Sequence, residues 1–400
     1  MRKIDKWVGV PVCFFLSIIN WIFNLFSTTP KKPDPSKTLF IELSEMGSAI
    51  IVDPAMRKLM KESNAELFFV IFKANCKSLE ILQTVKQENI FKMRSDNLFY
   101  LSIDVLKFMS WCRAKKIKCV IDLELFSRFT ALLSFLSGAK HRVGFTSLYD
   151  EGLYRGNMIN LPVRYNPHVH IAINFVSLVN RLLGYYQNPY ATIPLKPGDL
   201  DLSQAFVSPE QVSNVTEKIK NLYPLWQNEN VILLNVNASD MLPQRRWPQE
   251  NFATVANELL SAFNDIIIIA TGAPAERKYV QEVVDMVDDK RFINSAGIFA
   301  FNELVPLYSL SKVMLTNDSG PAHFASVTPL KVFVLFGPET PALYLPLGGN
   351  AEPIYLALPC SPCVSANNHR KTTCITRPCI TGIQPSSVFL KLSSFLTPAG

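Results

Sequence analysis

From residue 38 onward, short apolar runs alternate with longer stretches of helical period. Runs 38–43, 66–72, 97–102, 118–123 and 141–145 are dense in Leu, Ile, Val and Phe and end in polar or turn residues, which predicts strands. Between them, 49–62, 77–87, 105–116 and 128–137 predict helices, with Pro54 in the first half of its helix. Segment 149–164 shows no period, and 168–183 predicts a helix closed by Gly184. A second series starts near Asn228, with strands predicted at 231–236, 265–270, 292–294, 312–315 and 332–336. Its helices are expected over 248–262, 275–287 and 301–311, with a short one from Gly320 and a last one over 383–396. This βα alternation predicts α/β architecture with mostly parallel, doubly wound sheets, in two Rossmann-like halves joined by the Pro-rich polar stretch 188–212.

The first 36 residues follow a different pattern. Arg2, Lys3 and Lys6 precede an apolar run from Trp7 to Phe26, interrupted by Ser17, Asn20 and Asn24. About 20 apolar residues suffice to span a bilayer, and 24–29 makes a poor signal-peptide cleavage site. An uncleaved membrane anchor over 7–26 is therefore expected, followed by a stiff linker with three prolines. Pro11 and the two Asn leave open a helix lying in the membrane surface instead.

Composition narrows the function classes. A hydrophobic fraction of 48% with only 18% charged residues argues for packed cores rather than disorder. The formal charge of +7 is modest for 400 residues, and the basic clusters at 113–118 and 245–246 lack interleaved aromatics, so no nucleic-acid partner is expected. No G-x-G-x-x-G follows the first strand, and no Walker A, G-x-S-x-G, H-E-x-x-H or D-x-D sequence occurs.

The most informative stretch is Asn317-Asp318-Ser319-Gly320-Pro321-Ala322-His323. It follows one predicted strand and precedes another, so it sits at a sheet edge, where a helix start presents N–H groups to an anion. Ser319 suits an N-cap and Pro321 the first helical turn. Two readings stand here, a diphosphate site and an ordinary βα turn.

Four elements together resemble glycosyltransferase family 9, the group typified by ADP-heptose:lipopolysaccharide heptosyltransferases. The first is Asp318-Ser319-Gly320 with His323 and Ala325, continued by Phe336-Gly337-Pro338. The second is Asn237-Ala238-Ser239 followed by Arg245-Arg246-Trp247-Pro248, the third Arg142-Val143-Gly144-Phe145, and the fourth the loop 42–48 with Pro54-Ala55-Met56-Arg57. The resemblance covers roughly residues 38–390. It implies two Rossmann-like domains facing a cleft (GT-B type), with a nucleotide-diphosphate sugar, most simply ADP-linked, as substrate and no required cofactor. Ser239, Arg245, Glu276, Asp318, Ser319, Gly320 and His323 are the donor-binding candidates it implies.

One departure matters. Where the family carries Gly-Asp after the first strand, with that Asp proposed as the base for the acceptor hydroxyl, this chain has Gly47-Ser48. A serine hydroxyl is no base near neutrality without an activating partner. Glu45 on the same loop is the expected substitute beside Ser48, with Asp53 a weaker candidate.

The resemblance thus implies inverting, metal-independent transfer of a sugar, such as heptose, to a lipopolysaccharide or other envelope glycan, at the cytoplasmic face of a bacterial inner membrane. A silent glycan- or nucleotide-binding homologue and a nucleotide-sugar epimerase or hydrolase are the alternatives. Cys360, Cys363, Cys374 and Cys379 have spacing that suits zinc or disulfides. The expected divisions are 1–36 (anchor and linker), 37–205 (acceptor domain), 206–345 (donor domain) and 346–400 (Cys-containing tail with a helix returning to the first domain).

Overall fold

The chain forms two sheets, each of six parallel strands among the described residues. The computed structural model describes residues 7–26, 32–125, 127–146, 154–188, 195–366, 368 and 370–397. Two compact units divide at 201/202.

In the N-terminal unit the strands are β1 (Lys37–Ile41), β2 (Glu66–Phe72), β3 (Ile90–Met93), β4 (Cys119–Asp122), β5 (His141–Thr146) and β6 (Leu161–Arg164). They lie in the order β3-β2-β1-β4-β5-β6. The helices are α1 (Gly9–Phe26), α2 (Ser48–Ile51), α3 (Asp53–Ser63), α4 (Leu98–Lys115), α5 (Arg128–Leu136) and α6 (Ile171–Leu182). The order reverses direction between β1 and β4, and in such sheets ligands bind outside the carboxyl ends of the strands at that point. One face of the sheet carries a core of Leu39, Ile41, Phe68, Val70 and Val120 under Leu101 and Phe108 of α4 and Leu133 of α5.

The C-terminal unit repeats the topology. Its strands are β7 (Asn230–Asn235), β8 (Ile266–Thr271), β9 (Phe292–Asn294), β10 (Ser311–Asn317), β11 (Lys331–Phe336) and β12 (Ala351–Tyr355). Their order, β12-β11-β10-β7-β8-β9, places the switch point between β7 and β10. Around them run α7 (Pro209–Leu222), α8 (Gln249–Ala262), α9 (Arg277–Val284), α10 (Leu304–Leu310), α11 (Gly320–Ala325), α12 (Pro341–Tyr344), α13 (Pro378–Thr381) and α14 (Pro385–Leu396).

Several expectations are corrected. Segments 97–102 and 105–116 form one helix, α4, because the Asn97 side chain accepts from Phe99 N and caps it. Helix 77–87 is replaced by a 3₁₀ segment, Lys73–Glu80. In the last helix, α14, Val388 and Leu392 complete the core of the C-terminal unit, where α14 lies along α8. Part of the irregular stretch, residues 147–153, lies outside the described residues, as do 189–194 of the interdomain stretch.

The membrane-spanning anchor is also not what the structure shows. Among the described residues no helix is long and apolar enough to cross a membrane. Instead α1 packs on α5, and its Ser17 and Asn20 are bonded to the protein. Asn20 Nδ2 donates to Asn157 Oδ1 at 2.9 Å, Asn157 N donates to Ser17 Oγ at 3.1 Å, and Asn157 Nδ2 donates to Ser17 O at 3.1 Å. Gly156, at φ +61°, permits this approach, since a Cβ there would lie 2.0 Å from Ser17 Oγ.

Candidate functional site

In the C-terminal unit the polar segments after three strands arrive together for topological reasons. The carboxyl ends of β7, β8 and β10 are neighbours in the sheet, so the loops after Asn235, Thr271 and Asn317 open on one edge. A chain of side-chain bonds ties them. Asn235 Nδ2 donates to Thr271 Oγ1 at 3.3 Å, and Thr316 Oγ1 donates to Asn235 Oδ1 at 3.3 Å. Asn317 is wholly buried; its Oδ1 accepts from Trp247 N at 2.9 Å and its Nδ2 donates to Val236 O at 3.2 Å. This locks the Arg245–Trp247 segment against the 317–320 turn, and Asp318 N, donating to Leu335 O at 3.1 Å, holds the turn on β11.

Ser319 occupies the N-cap position of α11 with extended backbone, yet its side chain does not cap the helix. Its hydroxyl lies within bonding distance of Asn317 O at 3.1 Å and Asn235 Oδ1 at 3.4 Å. Because α11 has only six residues, its dipole is short, and any anion affinity comes mainly from first-turn N–H groups that no side chain caps.

Arg245 and Arg246 separate cleanly. Arg246 Nε donates to Ala238 O at 2.8 Å, and its Nη2 pairs with Asp240, so Arg246 fastens the loop after β7. Arg245 Nη1 stands 3.8 Å from Asp318 Oδ2, a long ion pair, and Arg245 Nε is buried with no hydrogen-bond partner among the described residues. A buried guanidinium N–H without an acceptor is costly and calls for a ligand that supplies one. Glu276 joins the same edge: its Oε1 accepts from Asn237 Nδ2 at 2.7 Å and its Oε2 from Ala273 N at 2.7 Å. His323 is buried on α11. Ser239, on the loop after β7, accepts from Met241 N at 3.2 Å, which makes it a turn-forming residue.

The N-terminal unit places its polar residues at the corresponding switch point, beyond β1 and β4. The half-buried Glu45 accepts from Ser48 Oγ at 3.4 Å, so Ser48 serves as a donor to this carboxylate. Asp53 is fully buried and engaged by Arg57 Nε at 2.7 Å and by Thr84, which withdraws it from the loop. Glu124, which the sequence pattern did not single out, holds the Glu45 loop: its Oε1 accepts from Leu43 N and Ser44 N, both at 3.1 Å, and from Ser44 Oγ at 2.8 Å. Burial, reinforced by the neighbouring charges of Glu124 and Glu45, pushes the Glu42 carboxyl well above its usual range.

Burial likewise raises Asp122 from 3.8 to about 7, against the opposing charge of Arg155, whose Nη1 lies 2.9 Å from Asp122 Oδ2. The folded chain thus keeps a proton that the unfolded chain releases near pH 4, so this carboxyl makes stability fall as pH rises from about 4 to about 7. Across that window the urea midpoint of the wild type is expected to fall relative to that of Asp122→Asn.

The four C-terminal cysteines are all free thiols. Cys379 is raised above its ordinary value by burial and by the neighbouring Cys363, Cys360 and Cys374. Among the described residues no group of three or more His, Cys, Asp or Glu side chains is placed to hold a metal ion, so the zinc reading of Cys360, Cys363, Cys374 and Cys379 gains no support.

With this geometry in hand, comparison with known proteins is decisive at the family level. The profile of glycosyltransferase family 9 (heptosyltransferase) matches residues 106–373, more than half of the chain. The chain belongs to glycosyltransferase family 9. Lipooligosaccharide heptosyltransferase 2 of Campylobacter jejuni is 26% identical over 187 residues, covering 45% of this chain and 56% of the relative. Lipopolysaccharide heptosyltransferase 1 of Campylobacter coli is 22% identical over 241 residues, 59% and 65% of the two chains. The match therefore spans somewhat more than half the length of these curated relatives. Among solved structures, ADP-heptose LPS heptosyltransferase II of Escherichia coli superposes with TM-score 0.70 at 20% identity, over 90% of this chain and 98% of that one. Escherichia coli heptosyltransferase WaaC with ADP gives 0.61 at 15% identity, over 90% and 99%. These likenesses establish a family 9 fold shared along nearly the whole chain.

Proposed function

We propose that this family 9 protein transfers a sugar, with heptose the leading candidate, from an ADP-linked donor to a lipid-linked envelope glycan such as lipopolysaccharide. The observation that carries the reading is the buried, unmatched Nε of Arg245 beside the Asp318–Gly320 turn. A diphosphate supplies the acceptor oxygens that this N–H lacks, and guanidinium–phosphate bonds are strong and directional. The heptosyltransferase relatives, and the ADP bound by the WaaC structure, favour an adenosine diphosphate leaving group. Glu276, held by Asn237 and by Ala273 N, is assigned to the ribose hydroxyls. Ser239, Asp318, Ser319, Gly320 and His323 complete the proposed donor-binding set.

In this scheme the acceptor hydroxyl loses its proton to Glu45 as its oxygen attacks the anomeric carbon. The bond from that carbon to the diphosphate oxygen breaks with its electron pair, inverting the configuration. Arg245 and the uncapped N–H groups at Ser319–Gly320 stabilise the departing charge, a role that needs no metal. The reading assigns the reaction to the inner face of a bacterial inner membrane, where a cytoplasmic nucleotide-sugar supply would meet a membrane-held acceptor. A second reading, a nucleotide-binding homologue without turnover, draws on Ser48 in place of the family's Asp.

Donor binding is testable without the acceptor. Thermal unfolding of the full chain against ADP, UDP, GDP and CMP should show a shift of the C-terminal unit with one nucleoside diphosphate, ADP foremost. At about 100 times its dissociation constant, the ligand adds roughly 2.7 kcal/mol. Arg245→Ala should weaken that ligand about 10- to 100-fold, the loss expected for a charged hydrogen bond. No shift with any nucleoside diphosphate would refute the donor site.

A further inference from the structure

Helix α1 is amphipathic in the reverse sense for a helix packed on a water-soluble domain. Among the described side chains its polar residues, Ser17 and Asn20, point into the protein and are bonded to Asn157, and Cys13 is buried with them. Its apolar residues point outward: Trp7 is 76% exposed, Phe15 63% and Trp21 61%, with Phe14, Ile18 and Ile22 beside them. Contiguous exposed apolar surface of this kind marks an interaction site. Helix α4 shares a sheet face with α5, on which α1 packs, as their common core shows. It too exposes apolar side chains, Leu98, Phe99, Tyr100 and Leu106, next to the exposed cations Lys107 and Arg113.

From this we infer that the outer face of α1 lies in the plane of a bilayer surface, with its apolar side chains in the headgroup–acyl boundary and the N-terminal unit held against an anionic leaflet. The partner is argued from chemistry. Tryptophans sit at both ends of the apolar face, where membrane interfaces favour them. Arg2, Lys3 and Lys6 before the helix, and Lys31 and Lys32 after it, complement anionic lipid headgroups. A water-soluble protein partner explains the apolar side chains but not the cations at both flanks. In-plane docking also accounts for the Asn20 and Ser17 bonds, which a helix threaded through lipid would have to give up. The inference rests on α1 and its surroundings and not on the proposed transfer reaction.

The test is co-sedimentation of the full chain with vesicles of phosphatidylcholine alone and of phosphatidylcholine with phosphatidylglycerol, with neither donor nor acceptor present. Binding to the anionic vesicles is expected, with a blue shift of tryptophan emission. The variant Phe14→Ser/Phe15→Ser/Trp21→Ser should weaken binding by about tenfold or more, given the apolar area removed. Its far-UV circular dichroism and its urea unfolding should match those of the wild type, which shows that both units still fold. Wild-type protein that stays in the supernatant with both vesicles overturns the inference. So does light scattering that shows a dimer in solution, lost in the variant, with no vesicle binding, because a second copy would then cover the face. Quenching of a Phe15→Trp variant by lipids brominated deep in the chains, but not by lipids brominated near the headgroups, would replace in-plane docking by insertion across the bilayer and overturn it as well.

Discussion

Glu45→Gln should lower kcat by about 10²- to 10⁴-fold, the usual worth of a general base, with little change in donor KM. Glutamine keeps the size of the side chain and can still accept from Ser48 Oγ, but it cannot take the acceptor proton. Ser48→Ala should cost far less, because Ser48 only donates to Glu45 at 3.4 Å. The pair of variants separates a base from a bystander. Equal losses in both would mean that the hydroxyl itself handles the proton, and a Glu45→Gln enzyme of normal kcat would move the base elsewhere. In the proposed mechanism Glu124, which bonds Leu43 N and Ser44 N from the loop after β4, positions Glu45. Its removal should perturb kcat through the placement of Glu45.

The second large effect is on stability. Trp247→Ala should destabilise the C-terminal unit by about 3–5 kcal/mol, as large aromatic truncations in cores do. Trp247 has no exposed surface, meets Phe252 edge-on at 5.0 Å, and donates from Nε1 to Ile383 O at 3.1 Å. Trp247→Phe should fill most of the space and cost about 1–3 kcal/mol, since it mainly strands the Ile383 carbonyl. Urea unfolding followed on the C-terminal unit measures both. Because Trp247 N also donates to Asn317 Oδ1, the alanine variant should loosen the Arg245 segment and weaken nucleotide binding at temperatures where the unit remains folded.

Much of this architecture was legible in the sequence because parallel strands buried on both faces leave dense apolar runs. Strands β1, β2, β4, β5, β7, β8, β10 and β11 lie where those runs predict them. The misses have local causes. Short edge strands β3 and β12 carry Lys92 and Pro353 and lack a clean apolar pattern. Helix α7 hides in polar sequence, although Ser208 and Gln211 form a capping box that marks its start. The start of α4 reads as a strand because Leu98, Phe99, Tyr100 and Leu101 are consecutive and apolar, three of them exposed.

The site was legible in part. The 317–323 motif, Arg245 and Glu276 converge at one sheet edge, as their positions after β10, β7 and β8 dictate. Ser319 has the sequence of a capping residue but spends its hydroxyl on Asn317 and Asn235, a pairing that only the sheet brings about. Glu124 could not be found from pattern, since its partners lie about 80 residues away and meet it only through the pairing of β1 with β4. The N-terminal run read as a spanning helix by length and hydrophobicity. Its anchoring through Asn20 depends on Asn157, far along the chain.

The central claim is tested most directly by following ADP release from ADP-heptose with the purified full chain, with and without lipopolysaccharide truncated before its heptose residues. Acceptor-dependent release of ADP, with the sugar found on the acceptor in inverted configuration and the activity lost in Arg245→Ala and Glu45→Gln, is the predicted result. Tight ADP binding with no sugar transferred to this or any related envelope glycan would contradict it and leave a binding protein in its place.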